Sequence, residues 1–124
     1  MGKNEPAPEQ FLPLKPNWFY ILLSLSGQDQ HGYGIMQDVL ARTSGKVRLW
    51  PATLYGTLKR LMESDLIEES TRRPAADDDD ERRRYFRLTK LGRRVLAAEI
   101  DRLEELVRTV YARPALVPGK ATES

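Results

Sequence analysis

The chain of 124 residues has no cysteine and one histidine, His31. The first absence excludes structural disulfides and thiolate metal sites and is compatible with a cytosolic setting. The second leaves no HExxH zinc pattern. No Gly-rich phosphate loop is present and the usual nucleophiles lack partners, so an enzyme is not expected. No cofactor or metal is implied. Long apolar runs are missing too. The longest, Trp18 to Leu25, is far too short to span a bilayer, so no membrane partner is expected. The opening MGKNEPAPEQ lacks the apolar core of a signal peptide. The expected location is the cytoplasm. A strong excess of one charge is also missing: 20 Lys plus Arg against 18 Asp plus Glu leave a net charge of +2. That balance neither demands nor excludes a nucleic-acid partner, so the distribution of charge must decide.

What is present centres on WPATLYGTLKRLMESDL, from Trp50 to Leu66. Leu54, Leu58, Leu61 and Met62 stand at helical spacing and form one apolar stripe. Pro51 suits a first helical position, where its missing N–H is an orphan anyway. The opposite face carries Ala52, Thr53, Gly56, Lys59 and Arg60. Small residues lie in its middle, with hydroxyl and cationic groups on its flanks. Such a face can approach another surface closely and then bond to it, as a helix does in a DNA major groove. Taken alone, the pattern is that of an ordinary amphipathic helix with a solvated face.

The neighbours change that balance. Residues 1–12 carry Pro6 and Pro8 without periodicity and are expected to form a flexible or loosely docked arm. Within Leu14 to Gly27, Pro16 suits a first helical turn and Gly27 a C-terminal cap; the helix is apolar nearly all round and is expected to be covered by something extra, such as a second subunit. Gln28 to Gln30 is a polar turn. The next helix runs from His31 or Gly32 to Ser44, with Tyr33, Met36, Val39 and Leu40 inward and Gly45 as its stop. KVRL at 46–49 is a strand or extended link. Leu66 to Thr71 and Arg82 to Leu88 are two strands of a hairpin. Ile67, Phe86 and Leu88 face inward and Tyr85 the other way. The hairpin's tip, RRPAADDDDE, is highly charged. Thr89 is a good N-cap for one long helix from Lys90 to about Tyr111. There Leu96, Leu103 and Val110 repeat every seven residues, with Ile100, Leu106 and Val107 between them. Such a repeat buries a seam against a partner helix. Glu104 and Arg108 are expected to pair on its outside.

The sum is mainly α with a small β-hairpin: a winged helix-turn-helix domain at 13–88, a dimerisation helix at 89–113 and a polar tail at 114–124. In that arrangement the second helix of the pair enters the major groove. The segments HGYGIMQDV at 31–39, WPATLYGTLKRL at 50–61, DLIEES at 65–70 and RRRYFRLTKLG at 82–92 together resemble the PadR family of transcriptional regulators. The resemblance runs from about Leu14 to Gly92. It implies a winged-helix DNA-binding protein, a homodimer held by the first and last helices, and usually repression. In several members it also implies a response to small aromatic or drug-like effectors.

By position, Thr53, Leu54 and Tyr55 match the family's TLY segment, and Arg82, Arg83 and Arg84 its basic return strand. The residues expected at double-stranded DNA are therefore Ala52, Thr53, Tyr55, Gly56, Lys59, Arg60, Arg72, Arg73, Arg82, Arg83 and Arg84. Strand alternation separates Arg83 from Arg82 and Arg84, so one set can meet phosphates while the other pairs with Glu68 or Glu69. The dimer is expected to use Trp18, Leu22, Leu96, Ile100, Leu103, Leu106, Val107 and Val110. His31 is expected to cap or pack.

Two departures stand out. Trp50 occupies a position where a capping Ser or Thr is expected, and is taken as a packing residue. Asp77 to Asp80 would be repelled by phosphates, and is read first as a solvated charge run. An effector cavity lined by Trp18, Phe19, Tyr20, Trp50 and Tyr111 competes with the plainer role of core and interface filling. The rival to DNA binding is a winged-helix protein-interaction module, whose cationic groups would be tied up by Glu63, Glu68, Glu69 and the Asp run.

Overall fold

Each helix begins where the sequence supplies a reason to begin. In the computed structural model, which describes residues 5–71 and 84–113, Pro16 opens α1 (Pro16–Leu25). His31 caps α2 (Gly32–Arg42), its Nδ1 accepting the Gly34 N–H at 3.0 Å. Pro51 opens α3 (Pro51–Glu63). Thr89 caps α4 (Lys90–Tyr111), its hydroxyl oxygen accepting the Gly92 N–H at 2.9 Å. These are the two ways of disposing of orphan N–H groups at a helix start.

The sheet is antiparallel and three-stranded, in the order β1 (Gln30–His31), β3 (Tyr85–Leu88), β2 (Ile67–Ser70). The hairpin stem is as expected, with Ile67 opposite Leu88 and Ser70 opposite Tyr85. The third strand is not: the polar turn at 28–30 runs into a two-residue pairing of Gln30 with Phe86 and His31 with Tyr85. That pairing covers the outer side of β3. Tyr85, expected to face away from the core, is thereby buried, edge-on to the His31 ring at 5.1 Å. No strand forms at 46–49, which is an extended link.

The core lies among all four helices and the inner face of the sheet. Ile21, Leu22, Ile35, Leu54, Leu58, Leu61, Phe86 and Val95 are essentially inaccessible. The α3 stripe is as the periodicity predicts. The α2 stripe is rotated: Gly32, Ile35 and Val39 are buried, while Tyr33 is exposed. The phenol of Tyr55 lies across the first turn of α2, so close that a Cβ at Gly32 would have to displace its ring.

Residues 8–11, expected within a flexible arm, form a short 3-10 helix with Pro8 buried. Phe11 and Leu12 pack on the core. This segment is tied to α4 by Glu99, which is buried although charged. Its carboxylate accepts the Leu14 N–H at 3.1 Å and two bonds from Arg102, at 2.6 and 2.9 Å. The Arg102 guanidinium holds the Glu99 carboxyl below its ordinary pKa, against an opposing upward push from burial. A carboxyl whose pKa is lower folded than unfolded stabilises the fold fully above the unfolded value. That share is lost as pH falls through the folded one. The melting temperature of the protein should therefore drop on acidification below about pH 4. Glu99→Gln should melt lower at neutral pH and lose part of that acid sensitivity; identical pH slopes for the two proteins would contradict this role of Glu99.

Candidate nucleic-acid interface

The outer face of α3 is the sequence-predicted one. Ala52, Thr53, Tyr55, Lys59 and Arg60 are exposed and Gly56 is half-exposed. Thr57, on the boundary, is buried and turns its hydroxyl back to the Thr53 carbonyl at 2.8 Å. Among the described residues neither Lys59 nor Arg60 is in an ion pair. The face forms one wall of a concave recess of 630 Å³, whose other wall is the start of α1 with Lys15 and Asn17. Those two residues were not anticipated. The signal was available in Lys15 immediately before the helix-opening Pro16, which puts a cation at an end of α1.

The hairpin is different. Arg84 is paired with Glu69 at 3.2 Å and lies over the Phe86 ring at 5.3 Å. Arg87 is paired with Glu68 at 2.9 Å. Both pairs are cross-strand and partly solvated, so each is worth little, but Arg84 is thereby held along the sheet by a carboxylate. Of the two arrangements open from alternation, Arg84 takes the Glu-paired one. Arg72, Arg73, Arg82 and Arg83, and Asp77 to Asp80, lie outside the described residues.

The residues expected at a dimer seam divide in two. Leu22 and Leu96 belong to the core of the subunit, 0% and 5% exposed, because the first half of α4 packs across its own domain. Trp18 lines the recess beside α3. Beyond Leu103 the helix is exposed through Thr109, and Leu106 and Val107 are each 51% exposed. Leu103, Val107 and Ile100 form with Phe19 of α1 an apolar recess of 460 Å³. Arg108 pairs with Glu105 at 2.9 Å, not with Glu104. The aromatic residues considered for an effector cavity do not converge within the subunit: Trp18, Phe19 and Trp50 line three different recesses. Trp50, expected to pack, is 64% exposed. Among the described residues no cluster of His, Asp or Glu is suited to a metal ion, and no helix is long and apolar enough to cross a membrane.

The model of the transcriptional regulator PadR-like family matches residues 21–98. The chain belongs to this family. The match runs from the middle of α1 to the first half of α4, and so contains both α3 and the hairpin. The fold is shared with solved structures of low identity. One is a transcriptional regulator from Clostridium thermocellum, 22% identical, with 78% of this chain covering 88% of that one at a TM-score of 0.63. A PadR family transcription regulator from Clostridium difficile is 23% identical, with coverages of 79% and 97% and a TM-score of 0.63. RosR of H. salinarum is 23% identical, with coverages of 81% and 80% and a TM-score of 0.58. No curated protein matches the chain in sequence.

The small centre of the α3 face generates a two-sided prediction. A Cβ at Gly56 would meet only the Arg60 guanidinium, at an ordinary 3.7 Å. Gly56→Ala should therefore stabilise the fold by about 0.5–1 kcal/mol, the usual gain of alanine over glycine inside a helix. The same methyl stands between the face and anything docked closely on it, so DNA affinity should fall severalfold. Paired denaturation and DNA titration check both signs; unchanged affinity would remove Gly56 from the interface.

Proposed function

We propose that this PadR-family protein is a sequence-specific DNA-binding repressor that acts as a homodimer on a pseudo-palindromic operator. The observation that carries the reading is the contrast between the two basic surfaces. The hairpin's Arg84 and Arg87 are neutralised by Glu69 and Glu68. Lys59 and Arg60, beside Thr53 and the small Gly56, face outward unpaired among the described residues. A protein-interaction module would be expected to tie up both sets. The stem pairs favour that second reading; the α3 face favours DNA.

In the proposed mechanism α3 enters the major groove. Ala52, Thr53 and Gly56 approach base edges, Tyr55 and Thr53 offer hydroxyls, and Lys59, Arg60 and Lys15 meet phosphates. Two copies pair through the exposed second half of α4, with Leu103, Leu106, Val107 and Val110 on the seam, Ile100 at its root and Phe19 bracing it. The two α3 helices then face successive grooves about one helical turn apart. Bound over a promoter, the dimer excludes polymerase. An effector, of the small aromatic or drug-like kind, acts by turning α4 and so changing the separation of the two reading heads.

Titration of the protein against DNA upstream of its own gene, at several salt concentrations and beside a scrambled control, tests the reading. Native DNA should be preferred, and affinity should fall with salt with a log–log slope of roughly −5 or steeper, for Lys15, Lys59 and Arg60 in each half. Absent or salt-independent binding would favour the protein-interaction module. Leu103→Glu should yield monomers by sedimentation and lose most operator affinity, whereas a dimer of unchanged affinity would refute the seam.

A further inference from the structure

The link between α2 and α3 carries an aromatic side chain that the fold does not use. Trp50 serves α3 with its backbone alone: its carbonyl accepts the Leu54 N–H at 2.8 Å, and its side chain makes no capping bond. The indole is 64% exposed. A tryptophan left in water forgoes the large burial that usually justifies the residue. What it does touch is Arg48, whose guanidinium lies 5.2 Å from the ring centroid. That distance is within the reach of a cation–π contact, about 6 Å. Among the described residues Arg48 meets no carboxylate.

Across a shallow recess of 230 Å³ stand Tyr33 and Gln37 of α2. The Gln37 side-chain amide donates to the Tyr33 hydroxyl at 2.7 Å, which leaves that hydroxyl its own hydrogen to donate. A charged fork and a hydroxyl therefore border one concavity at the leading end of α3, directly before Ala52 and Thr53. This recess is separate from the one between α3 and α1. Among the described residues no carboxylate lines it.

We propose that Arg48 is a clamp for a DNA backbone phosphate, held in position by stacking on Trp50, with the Tyr33 hydroxyl donating to the same strand. The inference rests on α3 being the groove-entering helix. A fork of N–H donors matches the two free oxygens of a phosphodiester, and stacking on a ring fixes the fork's plane before binding. The element lies ahead of α3's first turn, outside the face that meets base edges, so its target is the backbone flanking the groove. Trp50 is thus a positioning residue, and this gives a reason for an aromatic where a capping Ser or Thr would otherwise serve.

The test is a double-substitution cycle of Arg48→Ala and Trp50→Ala, with Trp50→Phe as the conservative variant. Each protein is titrated with native and scrambled DNA over a range of salt, and thermal melts report folding. Arg48→Ala should weaken both DNAs by a similar factor and make the salt slope shallower by about one per half-site. Trp50→Phe should bind nearly as wild type. Trp50→Ala should weaken binding alone but add nothing to Arg48→Ala. Equal Trp50→Ala losses in both backgrounds would overturn the bracing role and point to direct contact by the indole. Loss of sequence preference with an unchanged slope would overturn the phosphate assignment in favour of a base contact. Full binding by Arg48→Ala would sink the clamp while leaving the α3 reading intact. No salt-dependent binding by the wild-type protein would sink both.

Discussion

At one corner of the molecule, backbone meets backbone with no room for a side chain. The Leu66 carbonyl lies against Gly92, and a Cβ there would overlap its oxygen. The same carbonyl accepts the Thr89 N–H at 3.1 Å, and the Thr89 hydroxyl donates to the Asp65 carbonyl at 2.7 Å while capping α4. The turn that joins α3 to β2 and the cap and first turn of α4, which follow β3 directly, are therefore fastened at one place. Each such bond is worth only about 1 kcal/mol net. Their joint effect is geometric: α4 cannot change direction at its root without dragging the end of α3. In the proposed mechanism, a dimer joined through the far half of α4 sets the placement of the α3 face by this route.

A second constraint is the placement of charge. The net +2 says little by itself, because several charges on the described residues have local partners. Glu68 and Glu69 neutralise the stem of the hairpin. Glu99 is drawn inside to hold Leu14 and Arg102, which fixes the segment before α1 onto α4. Lys15, Arg48, Lys59 and Arg60 are left outward around α3. Under the proposed function those outward cations are the groups that meet a polyanionic partner.

Much of this was legible in the residues. Pro16, Pro51 and Thr89 mark helix starts by local backbone chemistry, which tertiary context rarely overrides. The α3 face followed from periodicity over a long, strongly patterned segment. Where periodicity failed, two surfaces competed. On α2 the sequence offers a stripe through Tyr33 and Met36, whereas the structure buries Gly32, Ile35 and Val39, with the Tyr55 phenol lying over Gly32. A heptad along α4 does not say whether Leu96 meets its own domain or a partner; only the length of the domain beneath it does. A strand of two residues, Gln30 and His31, is too short for any pattern. Glu99 looks like a surface charge until the Leu14 N–H is placed against it. Trp50 was expected to pack because tryptophan usually does, and only its exposure beside Arg48 gives it another use.

In the proposed mechanism two α3 faces, set by the α4 seam, lie in successive grooves on one side of the duplex. Hydroxyl-radical footprinting of the operator with the purified protein tests it most directly. Two protected patches are expected on each strand, separated by about 10–10.5 base pairs and lost together in the Leu103→Glu protein. A single patch, or two patches at another spacing that survive that substitution, would contradict it.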